Sequence, residues 1–180
     1  VTAGAPLVIT GINVPAGGVA TVVYAAETNS FAPLGDTASI VNTAVISGTG
    51  ISDITVTETI TPENTADLTI SKSLNPTTVT ENGQLTYTFV IQNTGSEPAT
   101  VDDALAVTDT FDPIIDITAV NFNGTAWTEG TNYTYDETTG AFATLPGQIT
   151  VPAATYTQDP ATGAYVINPG TVTLTVTGTV

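Results

Sequence analysis

The chain has 180 residues, of which 41% are apolar, enough to enclose one large or two small cores. Seventeen carboxylates against one cation, Lys72, give a formal charge of −16. That argues against nucleic acid and anionic membrane surfaces as partners, because both are held by clustered lysine and arginine. His, Cys, Arg and Met are absent, which removes the near-neutral proton shuttle, thiolates, soft metal ligands and guanidinium clamps. No enzymatic role and no resident cofactor are expected, and oxygen-ligated calcium is the one metal chemistry left open.

Threonine supplies roughly a fifth of the residues and, with Val, Ile and Tyr, suits a pleated, half-buried surface. Apolar residues recur at period two, and no window free of Gly and Pro carries a helical stripe, so an all-β chain is expected. In chain order, strands are predicted near 7–12, 19–28, 38–47 and 52–60. The polar stretch Thr61-Pro62-Glu63-Asn64-Thr65-Ala66-Asp67 reads as a linker. Further strands are predicted near 68–74, 84–93, 104–110, 116–123, 132–136, 141–145, 148–152, 154–158, 163–168 and 171–179. Asn123-Gly124 reads as a tight hairpin turn, and Asp136 to Gly140 and Asp159 to Gly163 as type I turns closed by a left-handed glycine. The chain opens Val1-Thr2 with no basic leader and no apolar run of membrane-spanning length, which reads as a mature chain or a fragment.

Asn13 to Tyr24 and Ile167 to Val176 repeat one pattern, a Pro/Gly turn feeding a threonine-rich strand. The first copy continues into Ile40-Val41-Asn42-Thr43-Ala44, whereas no such segment follows the second copy before Val180. The expected organisation is the C-terminal part of a β-sandwich module over 1–60, a linker over 61–67 and a second module over 68–180 that lacks one strand.

Residues Asp67-Leu68-Thr69-Ile70-Ser71-Lys72, then Leu85 to Gly95 ending Asn93-Thr94-Gly95, then Val107-Thr108-Asp109-Thr110-Phe111, resemble the repeat domain of bacterial and archaeal surface proteins catalogued as domain of unknown function eleven. The ordered signature covers 67–180, and its last two elements recur in 12–48. The resemblance implies immunoglobulin-like β-sandwich modules in extracellular, cell-surface and fibre proteins.

From these readings the expected activity is head-to-tail self-assembly into a filament by strand donation. Val172, Leu174 and Val176 are expected to wall the acceptor groove, and Ile40, Val41, Asn42, Thr43 and Ala44 to resemble the donor. The other reading is a surface adhesion or carbohydrate-binding module. Trp127, Tyr133, Tyr135, Tyr156 and Tyr165, with Phe142, would form its aromatic platform for a surface glycan. Asp102, Asp103, Asp109, Asp112 and Asp116 are the candidate calcium ligands, although no Asp-x-Asp-x-Asp-Gly loop is present. In some surface proteins a first-strand lysine condenses with an asparagine of the last strand, which makes Lys72 a candidate for an amide cross-link. The ordinary alternative is a half-solvated ion pair. Asn123-Gly124-Thr125 and Asn132-Tyr133-Thr134 match the N-glycosylation acceptor pattern, and Asp36-Thr37-Ala38-Ser39 lacks the glycine an aspartic-protease loop requires.

Overall fold

The computed structural model describes residues 6–35 and 37–180, so Asp36 and the first five residues lie outside the described part. The chain is all-β, with four separate antiparallel sheets. β1 (Ile40–Gly48) and β2 (Ile51–Ile60) form one hairpin, and β10 (Thr155–Gln158) and β11 (Tyr165–Asn168) form another. A five-stranded sheet runs β3 (Leu68–Asn75), β4 (Gln84–Asn93), β12 (Gly170–Thr179), β6 (Asp116–Phe122) and β7 (Thr125–Trp127). A three-stranded sheet runs β5 (Thr108–Thr110), β9 (Ala141–Thr144) and β8 (Tyr133–Asp136).

These two larger sheets face each other in a sandwich-like arrangement. Leu85, Tyr87, Phe89 and Ile91 of β4 and Val172, Leu174 and Val176 of β12 point inward, while the alternating threonines point out. Against them pack Phe111, Ile115, Tyr133, Phe142, Ile149 and Val151, with Tyr87 stacked on Phe111 at 4.7 Å between ring centroids. Every buried apolar residue lies between Leu85 and Val176.

The predicted turns form as their chemistry requires. Asn123 and Gly124 take φ of 47° and 80°, the pair of positive values a type I′ hairpin needs, and connect β6 to β7. Gly140 and Gly163 take φ of 73° and 76°, each donating its N–H to the carbonyl of the aspartate that opens the loop, Asp136 or Asp159. Asp136 Oδ1 also accepts from Thr138 N, and Asp159 Oδ1 from Ala161 N.

Several predicted strands do not form. Residues 7–12 and 19–28 are exposed and belong to no strand, although 19–24 repeats the sequence pattern of β12. The difference lies in the partners, since β12 has β4 on one side and β6 on the other. Residues 148–152 contribute only a bridge between Val151 and Ala99, and 104–107 is a loop entered from a 3₁₀ turn at Val101–Asp103.

Candidate functional site

The expected groove at Val172, Leu174 and Val176 does not exist. These side chains are 3%, 0% and 0% exposed on the innermost strand of the five-stranded sheet, where backbone partners and apolar cover are already in place. β12 has two occupied edges, so no further strand can pair with it.

The open side lies elsewhere, between β3 and β5. Among the described residues β3 pairs only with β4, and β5 only with β9, so each presents a free edge there. Leu68, Ile70, Lys72 and Leu74 of β3 stand opposite Asn93, Ile91, Phe89 and Tyr87 of β4 and share their inward face. Yet Ile70 is 57% exposed, because the three-stranded sheet does not extend beneath it. An apolar cleft of about 170 Å³ results, lined by Leu68, Ile70, Ile91, Leu105, Val107 and Ile149. At the other side β7 runs into β8 through a turn in which Gly130 N donates to Tyr133 O and Glu129 bridges Tyr133.

Lys72 and Asp109 form an ion pair across this open side, joining the two sheets. The ammonium also sits 4.5 Å from the Tyr87 ring centroid and 5.6 Å from those of Phe89 and Phe111. Asp109 Oδ1 accepts from Thr110 N at 2.9 Å, whereas Oδ2 carries the ion pair without an aligned hydrogen bond. Lys72 keeps 40% of its side chain exposed and Asp109 18%. The structure does not bring Asn42 to Lys72; its Nδ2 donates instead to the Tyr24 hydroxyl at 3.1 Å.

The segment read as a donor forms β1, in a hairpin whose residues from Val41 to Ile60 are all exposed. One face brings together the cross-strand pairs Ile40–Ile60, Ala44–Val56 and Ile46–Ile54, with Asn42–Glu58 the polar pair among them. The other face carries Val41–Thr59, Thr43–Thr57 and Val45–Thr55.

The remaining candidates disperse. Tyr133 is buried against Phe142, the Tyr135 hydroxyl donates to Ile115 O at 2.7 Å, and Trp127 stacks on Phe122. Tyr156 donates to Thr94 O from the β10–β11 hairpin, and Tyr165 lies on the strand beside it. No flat aromatic platform is presented, because these rings serve the core and two separate hairpins. Burial raises the phenol pKa values of Tyr133, Tyr135 and Tyr156.

The aspartates do not converge either, and no metal-binding cluster occurs among the described residues. Asp103 caps Thr100 within the 3₁₀ turn beside Asp102, Asp109 holds Lys72, Asp112 precedes Pro113, and Asp116 begins β6. Asn123 Oδ1 accepts from Thr173 N of β12 and Asn132 Oδ1 from Thr128 N, so both acceptor-pattern asparagines hydrogen-bond to backbone. Compared with family models, with curated proteins and with solved structures, the chain matches none of them.

Proposed function

We propose that the chain is a structural subunit of an extracellular surface fibre, built from immunoglobulin-like modules and assembling with copies of itself by strand donation. No catalytic role is assigned. One observation supports the reading above the others. The chain carries both an apolar-faced hairpin exposed from Val41 to Ile60 and a β-sheet pair whose side at β3 and β5 is open among the described residues. An exposed hairpin edge and an exposed apolar cleft are each an aggregation hazard alone and are both satisfied by meeting.

The energy scale is adequate. Burying the exposed Ile46 and the exposed part of Ile40 contributes on the order of 2–4 kcal/mol before ordering costs, with ladder hydrogen bonds in addition. Donor and acceptor are different surfaces of the chain, so the contact is heterologous and propagates in one direction instead of closing a dimer.

The test is sedimentation equilibrium with negative-stain electron microscopy of the full chain over a wide concentration range. Linear particles that lengthen with concentration are expected. A monomer persisting to millimolar concentration overturns the reading.

A further inference from the structure

We infer that the hairpin of a second copy docks on the open side with its Asn42 carboxamide seated on the Lys72–Asp109 ion pair, fixing the register of donation. The inference rests on the assembly reading above and specifies its contact. Both surfaces are apolar with one polar interruption. On the donor this is Asn42 with Glu58 opposite it, set among Ile40, Ala44 and Ile46. On the acceptor it is Lys72, set among Leu68, Ile70 and Leu74. A polar group pressed against an apolar wall loses its water without compensation, so the registers that bury Asn42 against Ile70 or Leu74 are disfavoured.

With Asn42 on Lys72 and the donor strand antiparallel to β3, the two-residue spacing sets Ala44 at Ile70 and Ile46 at Leu68. Ile40 then falls at Leu74. Ile46 then enters the cleft of about 170 Å³, a space that holds one branched aliphatic side chain. The parallel arrangement leaves Leu68 bare and drives Ile46 toward Pro76, so it is rejected.

A carboxamide suits this ion pair better than any charged group would. Its oxygen accepts from the ammonium, and its N–H donates to the carboxylate, and the carboxamide itself adds no charge beside the ion pair. Lys72 has donors to spare because one ion-pair partner cannot occupy all three. Asn42 has one N–H and its oxygen free beyond the Tyr24 contact.

The chain's own hairpin is not the occupant. Thr65 O and Asp67 O accept from Glu97 N and Thr94 N, which holds the connection in line with β3 and leads β2 away from its own cleft.

The experiment compares self-association of the full-length wild type, Asn42→Asp, and the double variant Asn42→Asp with Asp109→Asn, by sedimentation equilibrium. Asn42→Asp keeps the shape but places a carboxylate against Asp109, and association is expected to weaken on the order of 100-fold. The double variant restores one carboxylate and one carboxamide around Lys72, and recovery to within about tenfold of wild type is expected. Asn42 is exposed, and an unchanged melting temperature for Asn42→Asp confirms that the module is intact. If the wild type associates and Asn42→Asp associates equally well, or if the double variant fails to recover, this contact is wrong while assembly stands. If the wild type does not associate at all, the assembly reading falls and takes the contact with it.

Discussion

Lys72 on β3 and Asp109 on β5 are the one charged link between the two facing sheets among the described residues, and they stand where those sheets part. The pair is half in water and the ammonium rests on aromatic faces, so its worth lies in packing as much as in charge. Lys72→Ala is expected to lower unfolding free energy by about 1–2 kcal/mol in denaturant titration, with part of the loss remaining in high salt. Lys72 is also expected to remain a free amine in the isolated chain. An intact mass short by one ammonia or one water would show an amide instead.

Asn93 is fully buried and uses its whole carboxamide. Oδ1 accepts from Asp67 N and Gly95 N, while Nδ2 donates to Glu97 O at 2.7 Å and Pro152 O at 3.2 Å. Asn93→Ala strands two backbone donors and two acceptors, and a loss of about 3 kcal/mol in the denaturant midpoint analysis is expected. Asn93→Asp keeps the acceptor half and places a charge against two carbonyls, so it is expected to be no milder.

Gly170 begins β12 where a Cβ would lie 1.9 Å from Pro152 O, a backbone atom that cannot step aside. Gly48 would meet only the Ile51 side chain, at 3.3 Å from its terminal Cδ1. Thermal melts are therefore expected to show Gly170→Ala destabilised by more than about 2 kcal/mol and Gly48→Ala within about 0.5 kcal/mol of wild type.

Asp136 is held at a pKa of about 2, first by the Thr138 hydroxyl and then by the Thr138 N–H, and Asp159 is lowered by the N–H groups of Ala161 and Thr162. Both folded values lie below the ordinary 3.8, so both turns contribute stability above that pH. That stability fades as the pH falls through the folded values, to about 2 for Asp136. Asn at position 136 keeps an acceptor without a titration. Asp136→Asn is expected to show a shallower fall in melting temperature between about pH 4 and pH 2 than wild type.

Where side-chain alternation and partner coincide, the sequence is readable to the residue. The strand predicted over 84–93 is β4, Gln84–Asn93, and that over 171–179 is β12 with one residue added. Alternation reports only that a segment is able to be a strand. Residues 19–28 follow the same Pro/Gly turn as β12 and are rich in branched side chains, yet they remain unpaired, because the ladder needs a neighbour that no local pattern names. The short β7, Thr125–Trp127, escapes period counting at three residues, though the Asn123-Gly124 turn before it was a usable signal.

The site was misplaced for a related reason. The lack of a counterpart of 40–44 after the second Pro/Gly copy places the expected open edge at the last strand, whereas β12 inserts between β4 and β6. Pairing order is a long-range property. The one local trace of the open side was Lys72 itself, a cation inside an inward row of Leu68, Ile70 and Leu74.

The placement of β12 also constrains when the protein can exist. Gln84 pairs with Thr179, so the central ladder joins segments about 95 residues apart in the chain, and it needs β12 to be complete. Until that late stretch emerges from the ribosome, β3–β4 and β6–β7 are two separate ribbons with bare greasy faces. Closure by such distant pairing is slow, in the range of milliseconds to seconds for topologies of this kind. The order of synthesis therefore sets the earliest moment at which the central sheet can close.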